Sequence, residues 1–176
     1  MVVTVDIRRT YKYPFEKVVD VYLNKYPTPK EKMVIGIKTV EERQDGLTGV
    51  IYRRKIATCA NVLPRFLRQL GALQVDDVRL EEESWLDVQR RVLDVQSRCL
   101  TWTHLATMHE KATLHPSPRN PTWTEFVQHG TVAVTGLGSL GRLVEMFAHT
   151  FLSQGAKRSV RIMDGLLEER YGCPAP

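Results

Sequence analysis

Hydrophobic residues recur at helical spacing over the last long stretch of the chain, residues 137–171. Apolar side chains three or four positions apart form one stripe, and no proline interrupts it. Gly138 offers a start for a helix and Gly172 offers a stop. About thirty residues at 1.5 Å each make a rod of roughly 45 Å. The pattern predicts one long amphipathic helix that needs a broad apolar surface to lie on.

The middle of this predicted helix has a distinctive composition on its two faces. Large apolar side chains give way to small ones over residues 153–159. The face opposite the apolar stripe carries Gln154, Lys157 and Arg161, one turn apart. From spacing alone, these three side chains form a solvated basic face.

The first part of the chain predicts one strand followed by one helix. Residues Val2–Thr10 alternate between apolar and polar side chains, as a half-buried strand does. Helical spacing follows, and Pro14 suits its first turn. The helix must end before Pro27, because the residue that precedes a proline disfavours the helical conformation. The apolar positions of this helix are Phe15, Val18, Val19, Tyr22 and Leu23.

Six further strands are predicted between the two long helices. The first two are Met33–Arg43 and Gly49–Cys59, joined by a hairpin turn over residues 44–46. The other four are Gln74–Leu86, Arg90–Thr103, Ala106–His115 and Trp123–Thr135. Consecutive strands without helices between them indicate an antiparallel sheet. We therefore predict an α+β fold in a single domain over residues 1–176, with a curved sheet of about seven strands and the long C-terminal helix packed across it.

A short amphipathic segment, residues 61–71, interrupts the run of strands. Asn61 suits a helix cap and Gly71 suits a helix end. Its apolar side and first turn comprise Leu63, Pro64, Phe66, Leu67 and Leu70, flanked by arginines at 65 and 68. Three interpretations remain open: a helix that enters a membrane interface, a lid over an apolar hollow, or a surface helix that packs on the domain. The second is attractive because a twisted sheet around a long helix can enclose a ligand site.

Composition and charge narrow the possible functions only slightly. The chain has 176 residues, with 43% hydrophobic and 26% charged residues, as ordinary globular domains do. A net charge of +5 favours acidic partners: anionic lipid head groups, nucleic acid or an acidic protein. The three cysteines are far apart and predict reduced thiols. The sequence has no apolar run long enough to span a membrane and no secretory signal peptide, so we expect neither.

Residues 136–141 match the GxGxxG pattern of dinucleotide-binding loops. A dinucleotide site also needs a second parallel strand after the helix, and the helix predicted here runs almost to the last residue. The glycines more simply let the last strand turn sharply into the helix. We predict no dinucleotide site and no cofactor.

No residue is predicted to be catalytic or to bind a metal. Three histidines at 104, 109 and 115 are poorly spaced for shared metal ligation. Cys59 would need a neighbouring base to act as a nucleophile. Glu81 and Glu83 share one face of a strand, which we interpret as a solvated face. Nucleic-acid binding is not expected either, because no recognised motif accompanies the positive charge.

Several motifs together resemble the PRELI family of mitochondrial phospholipid-transfer proteins. They are KYPTP at residues 25–29, Leu-Pro at 63–64, EEESW at 81–85, CLTW at 99–102, and NPTWTEF at 120–126, followed by the long final helix. The resemblance covers essentially the whole chain, and the motifs are more specific in combination than singly.

The resemblance implies a START-like (helix-grip) cup that holds one phospholipid, without enzymatic activity. It implies transfer of phosphatidic acid or phosphatidylserine between mitochondrial membranes, across the intermembrane space. It also implies peripheral contact with the membrane surface and pairing with a small twin-cysteine helical-hairpin protein. The alternative is an interaction module that binds such a partner or a membrane without transferring lipid.

The resemblance also assigns residues. The basic position that opens the YPxP motif is Lys25, a basic residue on the third strand is Lys55, and two head-group positions on the final helix are Gln154 and Lys157. Lysines and an amide can hold a phosphate by charge-assisted hydrogen bonds. The lid is the 61–71 segment. The departures from relatives, which leave the identity of the lipid open, are Thr28, Met33, Cys59 and Thr150.

Overall fold

A computed structural model describes residues 2–174 and 176. It contains a seven-stranded antiparallel sheet and three α-helices. The strands are β1 (Val2–Tyr11), β2 (Val34–Gln44), β3 (Ile51–Ala60), β4 (Asp77–Asp87), β5 (Val92–Cys99), β6 (Ala106–Pro116) and β7 (Thr124–Val134). The helices are α1 (Phe15–Leu23), α2 (Arg65–Arg68) and α3 (Gly141–Tyr171), and the 3₁₀ turns are Gly71–Leu73 and Gly138–Leu140. The predicted α+β fold and all seven strands are confirmed.

The sheet has the order β1-β7-β6-β5-β4-β3-β2. Strands β2 to β7 therefore follow one another as hairpins, and β1 pairs with β7 at one edge. The first hairpin turn is longer than predicted, because Asp45 accepts hydrogen bonds from the amides of Leu47 and Thr48 at 2.7 and 3.1 Å. Gly49 closes this turn with a φ of +72°, in the region that favours glycine.

The long helix α3 lies across the sheet and contacts β1, β7 and α1. At its C-terminal end, Asp164 pairs with Arg9 of β1 at 2.8 Å, and the carbonyl of Gly172 accepts a hydrogen bond from the Tyr13 hydroxyl at 2.8 Å. The predicted helix is thus confirmed, although it begins at Gly141 after a 3₁₀ turn. No helix in the described part of the chain is both long and apolar enough to cross a membrane.

Two clusters of buried side chains stabilise the fold. The main core joins α1, the C-terminal half of α3 and the sheet, and its largest members include Phe15, Tyr22, Leu93, Leu114, Phe126, Met163 and Leu167. A second cluster lies toward the N-terminal half of α3 and comprises Leu67, Leu73, Leu105, Val132, Val134, Val144 and Leu152. Because most of the second cluster also borders an internal cavity, the interior of this protein is not filled throughout.

The outer face of the sheet corrects one prediction. Glu81 is buried, because Arg98 and Arg54 cover it at 2.6 and 3.4 Å. These hydrogen bonds hold the pKa of Glu81 below its usual value, against the effect of burial. The prediction that Glu81 lies on a solvated face is therefore wrong.

Candidate functional site

A cavity of about 330 Å³ lies between the sheet, α3 and the segment that follows β3. Its volume is at the lower end of the range of small-molecule sites in proteins. The lining side chains come from α1 and its following loop, from β2 to β7, and from α3. The cup that the resemblance implies is therefore present.

Most of the cavity wall is apolar. The sheet contributes residues such as Ile37, Leu80, Met108 and Val132, and α3 contributes Phe147, Phe151 and Leu152. The rings of Phe147 and Phe151 stack with centroids 6.5 Å apart. Such a wall suits hydrocarbon, because burying apolar ligand surface against it removes both from water.

Lys25 is the cation that lines this cavity most directly. Only 8% of its surface is exposed, and its Nζ lies 3.6 Å from the centroid of the Tyr22 ring and 5.2 Å from that of Tyr26. Burial lowers the pKa of Lys25, and the nearby carboxylates of Glu82 and Glu110 oppose that effect. An ammonium group so enclosed is stabilised by any anion that reaches it.

A row of polar side chains crosses the inner face of the sheet at the level of Lys25. Strand register aligns Lys55 of β3 with Glu82 of β4, then Ser97 of β5, then Glu110 of β6. The last three of these side chains line the cavity. Burial raises the pKa of Glu110; the neighbouring Lys25 lowers it and Glu82 raises it further. We call the part of the cavity around Lys25, Glu82, Ser97 and Glu110 its inner end. This end is acidic as well as basic.

A second cation reaches the cavity from α3. The Nε atom of Arg158 donates a hydrogen bond to Glu31 at 2.7 Å, and its terminal nitrogen lies 3.2 Å from the sulfur of Met33. Glu31 is buried and also accepts a hydrogen bond from the Met33 amide at 2.9 Å. This ion pair joins α3 to the loop before β2, and both of its members line the cavity.

The structure brings one of the four predicted head-group residues into the cavity lining. Lys25 lines it. Lys55 shares the inner face, but its Nζ donates a hydrogen bond to the Leu23 carbonyl at the C-terminal end of α1. Gln154 and Lys157 lie on the exposed face of α3, and neither is among the lining residues. Head-group contact by Lys55, Gln154 and Lys157 stays a prediction.

The phase of α3 explains this arrangement. At 100° per residue, the cavity receives Gly155, Ala156, Arg158 and Ser159, and the intervening Lys157 points away. The helical periodicity had predicted a solvated basic face for Gln154, Lys157 and Arg161, and all three are exposed. The exposure that spacing predicts for these three side chains is therefore confirmed.

The predicted lid residues lie beside the cavity, but the segment is less helical than expected. We define the lid segment as residues 61–73. It holds one α-helical turn and one 3₁₀ turn. Asn61 ties its two ends together. The side-chain oxygen of Asn61 accepts a hydrogen bond from the Leu63 amide at 3.1 Å, and its side-chain amide donates to the carbonyls of Leu73 and Val75 at 3.3 and 2.8 Å.

Individual side chains of the lid segment have different surroundings. Leu67 is 1% exposed within the second cluster, and Leu63 and Leu70 pack against that cluster. Leu63 also lines the cavity. Pro64 precedes the helical turn, and its carbonyl accepts hydrogen bonds from the amides of Leu67 and Arg68. Phe66 is 57% exposed and points outward.

Sequence reasoning missed four charged residues of the cavity: Glu31, Glu82, Glu110 and Arg158. A signal for two of them was available. Glu82 lies two positions after Leu80 in β4, and Glu110 lies two positions after Met108 in β6. Each carboxylate therefore shares a face with apolar wall residues. Carboxylates on an apolar face indicate a special environment.

Two free cysteines also belong to the wall. Cys59 and Cys99 line the cavity. Burial raises the pKa of Cys59 to about 11 and raises that of Cys99 as well. Both are therefore protonated thiols near neutral pH, which makes them weak nucleophiles.

Comparisons with known proteins agree with the geometry of the cup. The sequence model of the PRELI-like family matches residues 16–172. The chain is similar to the slowmo homolog of Dictyostelium discoideum, with 25% identity over 158 residues that span 90% of this chain and 68% of that protein. It is also similar to the UPS-like protein C36.10 of Schizosaccharomyces pombe, with 28% identity over 162 residues that span 90% and 85% of the two chains.

A solved structure has the same fold. A START superfamily protein from Mycobacterium smegmatis superposes with a TM-score of 0.59, over 94% of this chain and 97% of its own, at 13% sequence identity. At that identity the similarity concerns the fold alone. It confirms the predicted START-like arrangement of a curved sheet and a long C-terminal helix.

Proposed function

The chain belongs to the PRELI-like family, and from this membership and the form of the cup we propose that it binds one phospholipid and transfers it between mitochondrial membranes. The family and the START-like fold support lipid binding or transfer. We propose phosphatidic acid or phosphatidylserine as the cargo, with the phosphate on Lys25. No reaction is proposed, because PRELI and START-like lipid-binding proteins are generally not enzymes.

One observation carries this proposal: a mainly apolar cavity ends at a buried lysine. An apolar cavity alone would suit many hydrophobic ligands. Lys25 adds a desolvated positive charge that lacks an ion-pair partner within hydrogen-bonding distance in the described part of the chain. A phosphate would supply charge-assisted acceptors to that ammonium while its acyl chains cover the apolar wall.

The volume of the cavity is small for a whole phospholipid. A volume of about 330 Å³ is at the lower end of the range for sites that hold drug-sized ligands. A phospholipid with two long acyl chains is larger than such a ligand, so we infer that this cavity takes only part of the lipid. We propose that the lid segment or α3 moves outward during loading.

We propose that loading takes place at a membrane surface in the mitochondrial intermembrane space. The compartment rests on the family resemblance alone. The membrane contact is supported by the lid segment, where exposed Phe66 lies between the exposed Arg65 and Arg68. An aromatic ring can enter the acyl region while guanidinium groups meet phosphates. We also propose a small twin-cysteine helical-hairpin protein as partner, on the ground of the family resemblance.

Two measurements test the proposal. Mass spectrometry of lipid that co-purifies with the full chain identifies the cargo, and a vesicle assay follows transfer of fluorescent phosphatidic acid and phosphatidylserine. Lys25→Met should abolish most transfer because it keeps the apolar stem and removes the charge. Lys38→Met is the matched control, since Lys38 is exposed on β2 outside the cavity lining.

The alternative function is an interaction module that binds the hairpin partner or a membrane without moving lipid. A wild-type chain that binds the partner, carries no lipid and transfers none would establish that alternative. Equal transfer by Lys25→Met and wild type would leave lipid transfer standing but would refute the role of Lys25.

A further inference from the structure

Among the side chains that line the inner end of the cavity, carboxylates outnumber unpaired cations. Glu82 and Glu110 line it together with a single buried lysine, Lys25. Lys55 attracts Glu82 from outside the lining, and its ammonium is held by the Leu23 carbonyl. The other cation of the lining, Arg158, is already paired with Glu31. A head group that carries only negative charge would therefore meet two carboxylates for each unpaired ammonium.

The two carboxylates are placed to share one ligand. Glu82 and Glu110 lie on β4 and β6, with Ser97 between them on β5 in direct register. Neighbouring strands are about 4.8 Å apart, so the two glutamate Cα atoms are about 10 Å apart. Long side chains from both ends can converge over the central serine.

This row offers acceptors without partners. None of the hydrogen bonds or ion pairs between residues 2–174 uses the side chain of Glu82, Ser97 or Glu110. Lys25 is more than nine-tenths buried and makes cation–π contacts with Tyr22 and Tyr26. Glu82 and Glu110 attract it electrostatically, but no carboxylate of the described residues forms an ion pair with it. Unpaired charged groups in an enclosed space are costly, and a bound ligand would compensate them.

The chemistry of the row matches a primary ammonium. An –NH₃⁺ group has three N–H donors, and two carboxylates and a hydroxyl are three acceptors. The neighbouring Lys25 is then free for an anionic group on the same ligand. By contrast, a phosphate monoester carries a charge of about −1.5 to −2 near neutral pH and would be repelled by both glutamates.

We propose that Glu82, Ser97 and Glu110 bind the ammonium of an amino head group while Lys25 meets its phosphate, so that the cup selects phospholipids with a primary amine. This inference rests on the proposed function and narrows its cargo. Serine and ethanolamine head groups share the required chemistry. Phosphatidic acid and phosphatidylglycerol lack it.

A competition experiment tests the selection. The purified full chain is incubated with vesicles that contain equal amounts of phosphatidylserine, phosphatidylethanolamine, phosphatidylglycerol and phosphatidic acid with identical acyl chains. The protein is re-isolated and its lipid is quantified by mass spectrometry. We expect the two amine lipids to be enriched at least about tenfold over the other two, as the loss of a charge-assisted hydrogen bond predicts. Their ratio distinguishes serine from ethanolamine.

Variants assign the preference to the row. In Glu82→Gln/Glu110→Gln the preference should disappear, whereas binding of phosphatidylglycerol and phosphatidic acid should be kept or increased. Glu83→Gln is the matched control on the same strand, because the Glu83 side chain binds the Tyr52 hydroxyl at 2.6 Å outside the cavity lining. Ser97→Ala should weaken the preference without adding or removing a charge.

The outcomes separate this inference from the proposed function. Lipid bound without preference for amines, or a preference that survives in the double glutamine variant, overturns the inference and leaves lipid transfer standing. Recovery of none of the four lipids overturns both. The wild-type preference needs no variant, so the test holds even if the double variant fails to fold.

Discussion

Shortening Leu67 to alanine should release the lid segment without unfolding the domain. Leu67 is 1% exposed and packs in the second cluster, which is separate from the main core around α1. A buried Leu→Ala change costs about 3 kcal/mol. If the lid segment opens as a unit, each 1.4 kcal/mol raises the open population tenfold, so that Leu67→Ala raises it about a hundredfold.

Hydrogen–deuterium exchange with peptide resolution measures this opening. Peptides from the lid segment should exchange about a hundredfold faster in Leu67→Ala than in wild type, and peptides from β5 and β6 should not change. Lipid transfer should accelerate in the same variant if lid opening limits loading. Phe66→Ala is the matched control: Phe66 is one residue away but 57% exposed, so its exchange should equal that of wild type.

Two results would refute this reasoning. Faster exchange spread equally over the lid and the central strands would mean that Leu67 belongs to the global core. Unchanged exchange in the lid segment would mean that Asn61 and its three hydrogen bonds, rather than Leu67, hold the segment closed.

Three further predictions concern the wall, the outer face and the entry to α3. Burial raises the pKa of Cys59 to about 11, so Cys59 should react with a thiol reagent at pH 8 far more slowly than exposed Cys173. Bound lipid should protect Cys59 further. Equal reaction rates of the two thiols would argue against burial of Cys59 in the cavity wall. Glu81→Gln should lower the free energy of unfolding by about 1–3 kcal/mol at pH 7. Because the pKa of Glu81 is lowered in the fold, its contribution is present above the unfolded value of 4.5 and is lost as pH falls through the folded value, so thermal melts of the two proteins should converge in acid. Gly136→Ala should lower the free energy of unfolding by about 1–3 kcal/mol, because a Cβ there would lie 2.7 Å from a leucine side chain. Gly138→Ala meets open space and costs only about 1 kcal/mol, from its φ of +53°. Chemical denaturation compares the two variants, and an equal loss of stability would refute the clash.

Much of the fold was readable from local pattern. The bounds of the strands and of the long helices were predicted within a few residues, because apolar side chains recur with a period of 2 in strands and 3.6 in helices. The short lid helix was the exception. The side chain of Asn61 forms hydrogen bonds with the backbone carbonyls of Leu73 and Val75, which are 12 and 14 residues away. Patterns of neighbouring residues along the sequence do not indicate such contacts.

The site was less predictable, and the reasons can be stated for particular residues. Lys55 has the correct parity for the inner face, yet its ammonium donates a hydrogen bond to the Leu23 carbonyl at the C-terminal end of α1. Lys157 belongs to the correct helix, yet the cavity receives Arg158 one position later. Parity and helix membership restrict orientation, but neither shows which element lies opposite.

The sequence by itself determined the elements, their order and the apolar faces that make a sheet wrap a long helix. The tertiary structure alone decided which charges meet at the inner end of the cavity. Glu82 and Glu110 are 28 positions apart in the chain and become near neighbours only through the register of three strands. Electrostatic coupling depends on distance in space and on burial, and neither is a property of a single segment.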